Sequence, residues 1–174
     1  SQKCLGLPAG LAACTFSRKA VERARTVQNR GFYLDLLQLY DFIQKKDYQY
    51  PSTPSLAHMF ALDYQLNYII NEEGLENRFA RHEEMMEMVR EWAGRNFALL
   101  AEDDIASRTV TTVVNTRNID ISELNRELKK RGMMISNGYG ELKDKTFRIA
   151  HMADTTPAQI TELLDNLDDI LGLN

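Results

Sequence analysis

From Arg108 to its C-terminus the chain reads as strand, helix, strand, strand and helix, an order that calls for helices packed on a small sheet. Arg108–Asn115 is rich in Val and Thr, residues that fit a pleated, half-buried surface. Asp120-Ile121-Ser122-Glu123 has capping-box spacing and predicts a helix that Gly132 stops. Met133–Ser136 and Thr146–His151 read as short strands joined by a Gly-containing loop. The last helix opens on Thr156, with Pro157 at its first position and Gln159 completing a capping box. Ile160, Leu163, Leu164, Leu167, Ile170 and Leu171 then form one apolar stripe that ends at Gly172. A helix with one apolar stripe must bury it against another layer. The expectation is a small α+β domain whose mainly antiparallel sheet is covered by helices.

Upstream, the pattern is helical. A long charged helix is expected from Glu76 to about Phe97, with Phe79, Met85, Met86, Val89 and Trp92 along its apolar side. A Met and aromatic stripe at this spacing is core packing rather than a ligand box. Leu11–Phe16, after the Pro8-Ala9-Gly10 turn signal, reads as a short buried strand. Ser17 caps a helix over Arg18–Gln28, and further helices are predicted over Leu34–Lys46 and Leu56–Ile70. Asp47–Ser55, with two prolines and two tyrosines, is a loop in which Tyr48 is an ordinary aromatic. A boundary near Gly74 divides the chain into residues 1–74 and 75–174, and the whole belongs to the α/β class.

Composition narrows the function classes. With 174 residues and a formal net charge of -4, the chain has no basic footprint for nucleic acid. No apolar run is long enough to span a bilayer, and no secretory signal is visible. Cys4 and Cys14 lack metal-ligand spacing, so they read as buried free thiols of a reducing compartment, with the cytoplasm as default. A start at Ser1-Gln2-Lys3 that runs straight into an apolar stretch reads as a fragment of a longer protein. No Gly-rich phosphate loop or His-x-x-x-His pair is present. The acidic groups Glu102-Asp103-Asp104 and Asp165, Asp168 and Asp169 read as solvated faces rather than metal sites.

Three segments carry residues suited to chemistry. Lys3 stands at the expected mouth of a strand, where desolvation would favour the free amine needed to form an imine; a solvated surface charge is the plain alternative. Tyr50-Pro51-Ser52-Thr53-Pro54 is a proline-bounded turn, either a simple connection or a source of two hydroxyl donors. Arg148 lies inside the apolar strand Phe147–Met152, where its charge requires an anion, whether a structural carboxylate or a bound ligand.

In order, these segments resemble those of the class V aminotransferases, the alanine–glyoxylate and serine–pyruvate aminotransferase group. Ser1-Gln2-Lys3-Cys4-Leu5, with Pro8 and Gly10 following, is similar to the family's Schiff-base lysine segment. The resemblance implies that Lys3 holds pyridoxal 5'-phosphate as an imine and shuttles the proton, with Gln2 near the phosphate. Tyr50 and Thr53 match a segment whose hydroxyls reach the phosphate of the neighbouring subunit in a homodimer. Arg148 matches the arginine of a Phe-Arg-Ile-Gly-His-Met-Gly motif that grips the substrate α-carboxylate. Ala150 and Ala153 stand where that motif has glycines, and His151 is a turn-fixing rather than catalytic residue. Gly74–His82 resembles the opening of the family's long interdomain helix, and Gly140–Lys145 the loop before its arginine strand.

The implied whole is a fold-type I homodimer that moves an amino group from alanine or serine to glyoxylate or pyruvate. Relatives acting on phosphoserine or aminophosphonates remain alternatives, as does a non-catalytic dimerising module. The family's ring-stacking aromatic and pyridine-pairing aspartate come from upstream residues, so this chain alone is expected to bind the cofactor poorly and to be inactive.

Overall fold

The computed structural model describes residues 1–45, 47 and 49–173. They form two compact units, one of Ser1–Gln2 with Leu7–Tyr64, the other of Lys3–Gly6 with the chain from Gln65 onward. Among the described residues no helix is long and apolar enough to cross a membrane.

The first unit contains α1 (Arg18–Thr26), α2 (Leu36–Lys45) and the start of α3 (Leu56–Asn67). Ser17 caps α1 by accepting from the Ala20 amide, and Asp35 accepts from the Leu37 amide as α2 begins. Arg30 holds the connection through an ion pair to Asp35 at 3.0 Å and a hydrogen bond to the Val27 carbonyl at 2.6 Å. The helix expected to reach Lys46 is seen to Lys45, and both Lys46 and Tyr48 lie outside the described residues.

Leu11–Phe16 is not a strand. A strand exists only where a neighbouring strand takes its amides and carbonyls, and among the described residues the one such bond is from the Ser1 amino group to the Leu11 carbonyl at 3.0 Å. Uncovered, it leaves Cys14 exposed, and Cys4 is exposed as well, so neither thiol is buried as expected.

In the second unit α3 does not stop at Ile70 but widens into a π-helical segment, Tyr68–Glu73, that ends at Gly74. Then comes α4 (Leu75–Asn96), followed by β1 (Ala98–Leu99), β2 (Val110–Val114), α5 (Ile121–Lys130), β3 (Ser136–Asn137), β4 (Thr146–Ala150) and α6 (Pro157–Leu171). The sheet order is β1-β2-β4-β3, antiparallel throughout. Asp120 caps α5 through the Ser122 and Glu123 amides. The expected capping box opens α6, and Gly172 in the left-handed conformation closes it. The strand expected over Met133–Ser136 begins only at Ser136, because the Ile135 amide is taken by the Asn125 side chain at 2.9 Å.

The core lies between one face of the sheet and the helices. Met85, Val89 and Trp92 of α4 meet Val113, Phe147 and Ile149 of the sheet and Ile160, Leu164 and Leu167 of α6. Phe97 joins Trp92 and Phe147, with ring centres 5.5 and 5.2 Å away. Truncating Trp92 or Phe147 to Ala would cost about 3–5 kcal/mol. Side chains alternate across a strand, so the burial of Phe147 and Ile149 sends Arg148 between them to the opposite face.

Candidate active site

Lys3 opens a tight turn in which the Gly6 amide donates to its carbonyl at 2.9 Å. Its side chain is exposed rather than desolvated, because the segment is a turn and not a strand mouth. Gly6 takes φ +69°, and a Cβ there would stand 3.1 Å from the Ala153 Cβ and 3.3 Å from Asp154 Oδ2. The lysine turn is therefore packed against the turn that follows β4.

Polar contacts fix the same junction. Arg78, one turn into α4 and 3% exposed, donates from Nη1 to Glu73 at 2.7 Å and Asp154 at 3.0 Å. Its Nη2 donates to the Cys4 carbonyl at 2.8 Å. Arg81 pairs with Glu73 at 2.6 Å and donates to the Ala153 and Thr155 carbonyls. Gln65 reaches both oxygens of Asp154 at 3.0 Å. Burial pushes the Glu73 carboxyl up, but the two arginines outweigh it and hold it below the usual carboxylate range. Burial lowers the His82 pKa, with the two arginines adding to that, and its Nε2 lies 3.2 Å from the Ala153 carbonyl oxygen. The π-helical turn presents Glu73 to both arginines; wide turns of this kind recur at functional sites.

Arg148 is half-buried on the outer face of β4, opposite Thr112 of β2 and Ser136 of β3. Its Nε and Nη2 donate to the Asn137 carbonyl at 3.2 and 3.0 Å. The Tyr139 ring lies against the guanidinium, 3.9 Å from its carbon to the ring centre. Among the described residues no carboxylate forms an ion pair with Arg148, so the structural-salt-bridge alternative has no partner there. One edge of the fork is occupied, one face is covered, and the Nη1/Nη2 edge is left for an incoming anion. The Arg148 guanidinium holds the exposed Tyr139 phenol below its ordinary range, with a smaller contribution from Lys3.

Gln2, Tyr50 and Thr53 belong to the first unit. Gln2 and Thr53 are exposed, and Tyr50 is 44% exposed. Among the described residues neither the Tyr50 nor the Thr53 hydroxyl has a hydrogen-bond partner, so both are available as donors. His151 is fully buried, its Nε2 2.9 Å from the Thr111 hydroxyl, which suits a structural residue.

The sequence reading missed Tyr139 and assigned no role to Arg78 or Asp154. The glycines flanking Tyr139 marked the loop but not the stacking. The spacing Glu73…Arg78…Arg81-His82 held the signal of a charge network, legible only once Asp154 is folded beside it.

Comparison with known proteins bears on this arrangement. The family described as Aminotransferase class-V matches residues 1–156. An uncharacterized aminotransferase of Methanocaldococcus jannaschii is 39% identical over 87% of this chain and 40% of its own length. A serine–glyoxylate aminotransferase of Arabidopsis thaliana is 32% identical over 98% of this chain and 43% of its own. The crystal structure of an alanine–glyoxylate aminotransferase from Nostoc sp. superposes with a TM-score of 0.85 at 25% identity, covering 98% of this chain and 46% of that one. The chain thus spans less than half the length of the relatives it matches.

Proposed function

The chain belongs to the class V aminotransferase family, and from that premise we propose that it supplies the lysine-bearing half of a pyridoxal-phosphate-dependent aminotransferase. The donor set fits the cofactor: an exposed primary amine, two uncommitted hydroxyls suited to a phosphate dianion, and an arginine fork with an open edge. When bound, the cofactor supplies the electron sink for transamination. Lys3 holds it through Nζ and moves the proton at that same atom. Arg148 binds the carboxylate of the amino acid and then of the 2-oxo acid. Tyr50 and Thr53 donate to the phosphate in a neighbouring chain of a homodimer, and Gln2 stands near the phosphate of its own.

The observation that carries this reading is Arg148, an arginine on a sheet face without a carboxylate partner among the described residues, in the same unit as Lys3. An arginine so placed calls for an exogenous anion. The amino donor is alanine or serine and the acceptor glyoxylate or pyruvate, a choice supported by the names of the relatives. The chain by itself is proposed to be inactive, a reading supported by its covering 40% and 43% of the length of those two relatives.

Borohydride reduction of the full-length protein saturated with pyridoxal phosphate, followed by peptide mapping, tests the proposal. The pyridoxyl group is expected on Lys3. Selective labelling of another lysine, or an unchanged cofactor absorbance in Lys3→Ala, sinks it.

A further inference from the structure

The geometry points to Arg78 as a positioning residue, one that sets where the Lys3 amine stands relative to the Arg148 fork. The inference rests on the proposed role of Lys3 and extends it to a residue that touches neither cofactor nor substrate. One guanidinium is bonded at once to both segments that matter. Through Nη2 it holds the carbonyl of Cys4, the residue next to Lys3, at 2.8 Å. Through Nη1 it holds Asp154, in the turn just beyond the Arg148 strand, at 3.0 Å. Glu73 anchors the same Nη1 at 2.7 Å from the opposite side.

The lysine side of the junction has little to hold it besides this network. Among the described residues the lysine turn is closed by two backbone hydrogen bonds, from the Gly6 amide to the Lys3 carbonyl and from the Leu7 amide to the Ser1 carbonyl, and it rests against Ala153 through a glycine. The base, by contrast, is a 22-residue helix packed into the core by Met85, Val89 and Trp92. Arg78 ties the weakly held turn to that rigid helix and to the β4 turn together. Three acceptors lie in three directions, which the planar fork of arginine serves and the single ammonium of lysine does not. A buried ion pair contributes little net stability, so its value here is registry. Displacement of a reacting group by about 1 Å costs up to roughly a hundredfold in rate.

Arg78→Lys and Asp154→Asn in the full-length protein test the inference. Asp154 is 54% exposed and its amide is isosteric, so that variant keeps the fold even if changes at Arg78 do not. Three quantities are read: the pH titration of the bound cofactor's absorbance, the acylation rate of Lys3 in cofactor-free protein by acetic anhydride and mass spectrometry, and kcat. The expectation is a titration midpoint displaced by roughly half a unit or more, Lys3 acylation altered relative to the other lysines, and kcat about tenfold lower or more. Asp154→Asn should move all three in the same direction by less. Normal values for all three in folded Asp154→Asn or Arg78→Lys protein overturn the positioning role while leaving Lys3 as the attachment point. A cofactor that stays covalently attached in Lys3→Ala overturns the underlying reading instead.

Discussion

Ala153 and Gly6 face each other so closely that a Cβ on Gly6 would stand 3.1 Å from the Cβ of Ala153. Ala153 also holds φ +60°, a left-handed conformation that costs an L-residue about 1–2 kcal/mol. The strain persists because the Ala153 carbonyl is held by Arg81 and His82 from α4.

Ala153→Gly should therefore stabilise the protein. Relief of the backbone strain exceeds the added entropy of the unfolded chain by about 0.5–1 kcal/mol, or about 2 °C in Tm. Thermal unfolding monitored by circular dichroism reads this directly. The opposite change, Gly6→Ala, combines a strained φ of +69° with the tight contact to Ala153 and should lower Tm.

How legible was all this beforehand? Helix ends were, because their chemistry is local: Thr156, Pro157, Gln159 and Gly172 lie within the element they delimit. Strands were less so, because a strand is defined by its partner. Leu11–Phe16 had the apolar run but, among the described residues, no neighbouring strand, whereas β1 has the partner, Val113–Val114, in only two residues, too few for a period. Arg148 was visible as an unexplained charge in an apolar strand. Tyr139, nine positions earlier, was not, because a turn built on Gly138 brings it back over the guanidinium. The contact of Arg78 with Cys4 spans 74 positions and left no trace at either end.

Gly138→Ala should disrupt the carboxylate fork. A Cβ there would stand 2.1 Å from the Leu142 carbonyl oxygen and 2.5 Å from the Thr146 hydroxyl, and the former belongs to backbone that must shift. The loss of stability should be about 1–3 kcal/mol, with a raised KM for the amino acid as Tyr139 moves. Tyr139→Ala is the control. Its ring is 76% exposed, so stability should change by less than about 0.5 kcal/mol while KM still rises. Denaturant unfolding and steady-state kinetics on the full-length protein separate the two effects.

His151 should make stability depend on pH below neutrality. Burial lowers its pKa to about 4, so the folded state keeps the ring neutral while the unfolded chain protonates it near 6.5. Between those values the unfolded state binds more protons, and stability rises with pH. The contribution is fully present above about pH 6.5 and is lost as pH falls toward 4, about 3 kcal/mol in all. Urea unfolding from pH 7.5 to 4.5 should show a steeper slope in the natural protein than in His151→Asn. Equal slopes would mean that the ring titrates normally in the folded state.

Arg148→Lys should damage substrate use without damaging the fold. Arg148 is half-buried on the outer face of the sheet and holds the Asn137 carbonyl through two nitrogens, so lysine keeps the charge and part of that bond. What it loses is the planar fork that grips a carboxylate with two parallel hydrogen bonds, worth about 2–3 kcal/mol. In the full-length enzyme kcat/KM for the amino acid should fall roughly 30- to 100-fold, with Tm nearly unchanged. The loss should vanish for an amine donor of the same size without a carboxylate, because that substrate never used the fork. If both donors lose equally, Arg148 serves the protein's own architecture; if neither loses, the carboxylate is bound elsewhere.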